Sequence, residues 1–209
     1  MAAKQKPSPL LLVVSAPSGA GKTTLCNRLL RSSPNVARAI TCTTRDPRPG
    51  EKDGKDYYFL RAADFLKRVQ AGNFLEHATV HGSSYGILKS EITSKLRAGE
   101  DVVLAVDVQG AATIRKQAME DKRLCEALVE VFILPPSIAE LRRRLQGRRS
   151  ETAATLRKRL AEAKHEITQW KHYDYVILSG TKSQDFQKFK AIYEAEKLRQ
   201  HRVSTPNIR

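Results

Sequence analysis

The chain reads as an α/β protein, with a parallel-sheet core flanked by helices and carrying one β-rich and one helical insert. Three observations predict it. Residues 10–15 form an apolar run that ends in a Gly-containing turn and leads into a helix-like pattern at Leu25, Arg28, Leu29 and Leu30. Residues 102–106 and 128–134 are continuous apolar segments of the kind that a parallel sheet buries on both faces. Two stretches, 38–90 and 137–170, interrupt this β/α rhythm.

Taken in order, residues 1–8 are a polar, flexible start, and the strand at 10–15 follows. The first helix stops near Pro34, which cannot continue it. Residues 39–44 are β-rich, and 45–50 (Arg-Asp-Pro-Arg-Pro-Gly) carry turn chemistry. A strand at 57–60, a helix at 62–71 and two short strands at 74–77 and 79–81 complete the first insert. A helix at 91–97 leads to the strand at 102–106, and one at 111–120 to the strand at 128–134, which Pro135 and Pro136 terminate. Residues 137–170 are helical and basic, with a break at Gly147. A strand at 175–178, a long helix from Asp185 to about His201 and a polar tail end the chain. The division expected is therefore a core (9–37, 91–136 and 171–203), a β-rich insert (38–90), a helical insert (137–170) and a tail (204–209).

Composition bounds the function. With 209 residues, 41% hydrophobic and 28% charged, the chain has enough apolar material for a substantial core. Its apolar runs are too short to span a membrane, and no signal peptide is expected. Three scattered cysteines without CxxC spacing argue against a disulfide framework or a zinc site and suit a reducing cytoplasm. The histidines at 77, 81, 165, 172 and 201 show no ligand spacing. A net charge of +15 raises nucleic-acid binding, but the arginines fall at 45–48, 142–149, 157–159 and in the tail rather than in one stripe. A pocket for phosphorylated substrates plus solvated helix faces accounts for them better, and no specific nucleic-acid partner is expected.

Three groups of residues carry chemistry. Ala16, Pro17, Ser18, Gly19, Ala20, Gly21, Lys22, Thr23 and Thr24 stand between a strand and a helix, the context of a phosphate-cradling P-loop. Glycines let backbone N–H groups close on phosphate, Lys22 reaches the β- and γ-phosphates, and the Thr23 hydroxyl is placed to ligate Mg²⁺. The consensus starts with Gly where this chain has Ala16, and the plain alternative is a turn between a core strand and a core helix. Asp107, directly after an apolar strand, suits either a metal or substrate role, with Mg²⁺ reached through water, or a helix N-cap. Arg45 and Arg48 on a Pro-stiffened turn can converge on one phosphate, with Tyr57 and Tyr85 as added donors.

These motifs, together with 56–59 (Asp-Tyr-Tyr-Phe), 74–78 (Phe-Leu-Glu-His-Ala), Tyr85-Gly86, 106–111 (Val-Asp-Val-Gln-Gly-Ala) and 132–137 (Phe-Ile-Leu-Pro-Pro-Ser), resemble guanylate kinase in order and spacing over nearly the whole chain. The resemblance implies a P-loop nucleoside monophosphate kinase fold whose β-rich insert binds GMP and whose helical insert is a lid. It implies Mg²⁺-dependent phosphoryl transfer from ATP to GMP within purine nucleotide metabolism. Glu76 matches the base-binding glutamate, Thr41 a base-contacting hydroxyl, and Arg45, Arg48, Tyr57, Tyr85 and Gly86 the GMP site, with Asp107 near GMP and metal. Arg144, Arg148 and Arg159 match lid arginines that close over ATP, and Lys22, Arg45, Arg148 and Arg159 are the implied catalytic set.

Three positions depart from the family pattern: Ile87 for a hydroxyl residue, Ala105 for the first acid of an Asp-x-Asp pair, and Ser179 where an Asn-Asp pair often lines the adenine pocket. Two other readings share the fold: a non-catalytic binding domain, and a kinase acting on another phosphorylated sugar. The intact P-loop opposes the first and Glu76 the second. Oligomeric state, monomer or homodimer, is open.

Overall fold

The computed structural model describes residues 8–80, 82–146 and 153–203. Arg148, the Gly147 break, His81, most of the flexible start and the 204–209 tail of the sequence reading lie outside them.

Five strands form the central sheet: β1 (Leu11–Ser15), β2 (Val36–Arg38), β7 (Asp101–Ala105), β8 (Leu128–Leu134) and β9 (Tyr175–Leu178), in the order β2-β7-β1-β8-β9 and parallel throughout. The continuous apolar character of β1 follows from its central place. Leu12 and Val14 enter one core cluster, with Leu25 and Leu29 of α1 (Lys22–Ser32) and Phe189 of α8 (Lys182–Lys197). Leu11 and Val13 enter the other, with Ile92 of α3 (Lys89–Arg97), Ala111 and Ile114 of α4 (Val108–Ala118) and Leu124 of α5 (Lys122–Ala127). Successive side chains of a strand point to opposite faces, so a strand covered on both faces must be apolar at every position.

A second sheet, β4-β3-β6-β5, is built from β3 (Cys42–Thr43), β4 (Tyr58–Phe59), β5 (Phe74–Val80) and β6 (Ser83–Leu88). It has a small core of its own, Cys42, Phe65 and Phe74, which α2 (Ala62–Gln70) closes. The helices α6 (Ile138–Gln146) and α7 (Ala153–Thr168) pack on each other through Leu141, Leu145, Leu160 and Ala163.

Several elements differ from the sequence reading. The two short strands expected at 74–77 and 79–81 are one strand, β5, because β6 pairs along its length. That partner, β6, was not anticipated: Ser83 and Ser84 look like turn residues, yet they pair with Val80 and Thr79. The β-rich stretch 39–44 contributes only Cys42–Thr43 as strand. Val36–Arg38, to which the sequence reading assigned no element, is the edge strand of the main sheet. The last helix starts at Lys182, three residues before Asp185, because Thr181 and Gln184 form a capping box, and it ends at Lys197. The helix α5 was not anticipated; Asp121 caps it through bonds from the Arg123 and Leu124 N–H groups.

Candidate active site

In an open parallel sheet, ligands sit beyond the carboxyl ends of the strands, and here the candidate residues gather at that edge. The fully buried β1 delivers the 16–21 loop, which turns through Gly19 and Gly21 at φ of +87° and +105°. Residues with a Cβ rarely adopt that backbone region. A methyl on Gly19 would also come within 2.9 Å of Leu145 Cδ2, so α6 packs directly on the loop. Gly21 is the N-cap of α1 and supplies no side-chain cap, which leaves the helix's first N–H groups facing the loop. Lys22 Nζ donates to the Ala16 carbonyl, folding the lysine back along the loop.

A cavity of about 360 Å³ opens beside this loop, between the two sheets. Of the predicted residues, Thr23, Thr41, Tyr57, Glu76, Tyr85 and Asp107 line it. Glu76 is half-buried on β5, where a register shift between Phe74 and Glu76 breaks the alternation of the strand. Bulges of this kind re-aim a side chain. Phe74 and Leu75 enter different core clusters, and Glu76 faces the cavity. Burial, and then the charge of Asp107, push the Glu76 carboxyl up to about 7.

Asp107 is a helix N-cap, one of its two sequence readings, and also faces the cavity. Its Oδ1 accepts from the Gly110 N–H at 2.7 Å as the N-cap of α4, while the residue lines the cavity. Its backbone carbonyl accepts from the Ser15 hydroxyl at 3.4 Å, which ties it to the end of β1.

Arg45 and Arg48 are not on the cavity wall itself. Arg45 lies next to it, with its guanidinium 5.3 Å from the centre of the Tyr57 ring and bonded to both Glu51 oxygens at 3.0 Å. Glu51 also accepts from the Arg48 backbone N–H at 2.8 Å, so one carboxylate organises the whole turn. Gly86 acts by its size: a methyl there would meet the Phe74 ring at 2.8 Å.

On the side of α6 and α7, Arg144 donates to Glu140 at 2.8 Å, to the Ser179 hydroxyl at 3.1 Å and to the Gly180 carbonyl at 3.4 Å. Ser179, one of the departures, thereby connects α6 to the end of β9, and its own hydroxyl donates to Asp185 at 2.8 Å. Arg159 is half-buried on α7. Glu166, also on α7, feels Lys22: burial raises its carboxyl while the lysine charge draws it down. Sequence reasoning placed Glu51 and Gly110 within motifs without giving either a role, and missed Glu166. Glu51 carried a legible signal, an acid three residues after Arg48, whereas Glu166 looks like any exposed helix acid.

Among the described residues no three His, Cys, Asp or Glu side chains form a metal cluster, and no helix is long and apolar enough to cross a membrane. Cys26, Cys42 and Cys125 are free thiols.

The family model described as guanylate kinase matches residues 8–196. A guanylate kinase of Novosphingobium aromaticivorans is 42% identical over 92% of this chain and 85% of its own length. One from Wolbachia sp. subsp. Brugia malayi is 43% identical over 93% of this chain and 96% of its own. The crystal structure of guanylate kinase from Anaplasma phagocytophilum superposes with a TM-score of 0.72 at 32% identity, covering 96% of this chain and 92% of that one. The matched span runs from just before β1 into α8 and so contains the loop, the cavity and both inserts; the chain belongs to the guanylate kinase family.

Proposed function

We propose that this chain transfers the γ-phosphoryl group of ATP to GMP, giving ADP and GDP. The observation that carries this reading is that a half-buried carboxylate, Glu76, and a P-loop residue, Thr23, line one cavity. A carboxylate accepts from both N1–H and the N2 amino group of guanine, whereas adenine presents a lone pair at N1 that a carboxylate repels. Thr41 adds a hydroxyl to the same wall. Tyr57 and Tyr85 on that wall, with Arg45 and Arg48 of the Glu51-organised turn beside it, take the GMP phosphate.

The loop from Ala16 to Thr24, Lys22 and the lid arginines Arg144, Arg148 and Arg159 serve the ATP side. Phosphoryl transfer asks the protein for position and charge neutralisation more than covalent chemistry. Lys22 and Arg45 neutralise charge on the transferring group, and the lid excludes water, a competing acceptor. The division into core, GMP-binding insert (38–90) and lid (137–170) is supported by the separate sheet and the separate α6–α7 cluster.

The residues present suit Mg²⁺. A hard cation of this kind keeps several waters and takes few protein ligands beside the substrate phosphates; Thr23 would hold it, with Asp107 acting through water, and both line the cavity. When bound, it would supply positive charge to the β- and γ-phosphates. Free thiols suit a reducing cytoplasm. The test is ADP formation by purified protein with ATP, GMP and Mg²⁺. Turnover with GMP and none with AMP is the expected result, and no ADP production overturns the reading.

A further inference from the structure

We infer that Arg38 reads the O6/N7 edge of the guanine base, a contact distinct from the N1/N2 edge assigned to Glu76; the inference rests on the GMP reading above. Guanine shows two different edges to a protein. One carries N–H donors, which Glu76 can accept. The adjacent edge carries O6 and N7, both acceptors, and asks the protein for donors.

The residue directly opposite Glu76 in the β5–β6 ladder is Ile87, which is 4% exposed and has no polar atom to offer. Of the described side chains lining the 360 Å³ cavity, Arg38 is the single cation. It is the last residue of β2, paired with Val103 of β7, and so approaches from the main sheet while Glu76 approaches from the small one. Its neighbours on that wall are Cys26, Asn27 and Leu30 of α1.

A guanidinium is a planar fork of N–H donors that matches O6 and N7 together. The same fork opposes adenine, whose N6 amino group would meet it donor to donor. Arg38 is exposed and stands at an edge strand, so its replacement does not open the core.

The experiment compares the full-length parent with Arg38→Met and Arg38→Lys, using GMP and 7-deaza-GMP, which lacks the N7 acceptor, as acceptors. A good bidentate contact of this type corresponds to roughly 5- to 150-fold. Arg38→Met is expected to raise KM for GMP by that factor, with KM for ATP and the melting transition near the parent's. The parent is expected to disfavour 7-deaza-GMP, and Arg38→Met to lose that preference. Arg38→Lys keeps the charge but not the fork and is expected to stay impaired. An unchanged KM for GMP in Arg38→Met, full rescue by Lys, or a parent indifferent to 7-deaza-GMP overturns the inference. A parent that makes no ADP with GMP overturns the proposed activity instead, so the two failures are told apart.

Discussion

The carboxylates of Glu76 and Asp107 line one cavity although they come from different sheets, and the Asp107 charge adds to the burial that raises the Glu76 carboxyl. Glu76 is carried by β5 of the small sheet, and Asp107 follows β7 of the large one. Between them lies Gly110, where a methyl would sit 3.1 Å from Glu76 Oε2 and 3.4 Å from Asp107 Oδ1.

GMP use should depend on pH through Glu76. The carboxyl is raised from 4.5 to about 7 in the folded chain, and only the ionised form accepts both guanine donors. KM for GMP is therefore expected to rise as pH falls through about 7, with KM for ATP much flatter. The stability sign is opposite. The folded chain holds this proton more tightly than the unfolded one, so the cost of burying the charge is absent below 4.5 and complete above about 7. Steady-state kinetics from pH 6 to 9 in Glu76→Gln and parent check the first, and urea unfolding over the same pH range the second: the variant should lose both pH steps, and its GMP turnover should fall by up to roughly 10⁴-fold.

Gly110→Ala should hurt the acceptor side selectively. The added methyl would press on Glu76 Oε2 and lie 3.2 Å from Val106 Cβ, both closer than comfortable contact. A raised KM for GMP with an unchanged KM for ATP is the expected outcome. Equal effects on both would point to a general disturbance of α4.

Glu51→Gln should act on the reaction without touching substrate. It weakens the two 3.0 Å bonds that hold Arg45 beside Tyr57 and the bond from the Arg48 backbone. Charge-assisted bonds of this type contribute about 1.5–3 kcal/mol, so kcat/KM for GMP should fall by roughly 10- to 100-fold. Thermal unfolding should move less than kcat/KM, because Arg45 and Glu51 are only partly buried and belong to none of the core clusters.

Asp101→Asn should be a stability variant. Asp101 is fully buried and accepts from the Leu10 N–H at 2.8 Å, the Tyr193 hydroxyl at 2.7 Å and Lys197 at 2.8 Å. It thus joins the starts of β1 and β7 to the end of α8. Removing one partner of a buried pair costs about 3–5 kcal/mol, and urea unfolding of the full chain should show a loss of that order, with KM values for ATP and GMP retained in the folded fraction.

The core was legible because its signals are local. The apolar runs at 102–106 and 128–134, the Gly-Lys-Thr after an apolar strand, and Pro135-Pro136 each act within a few residues. Where the reading failed, a distant partner decided. The gap between 74–77 and 79–81 vanished because β6 supplies a ladder along the whole segment, and Val36–Arg38 became a strand because β7 lies beside it.

The sequence by itself determined that a phosphate-binding loop joins a buried strand to a helix, and that the arginine turn and Glu76 accompany it. The glycines at 19 and 21 and the unbroken apolar run of 10–14 are chemical requirements visible in one dimension. Only the tertiary structure decided what these groups face. The shift in β5 turns Glu76 into a cavity, packing brings Asp107 against it, and β2 places Arg38 on the same wall. Such encounters depend on strand register and layer packing between residues tens of positions apart, which no local pattern encodes.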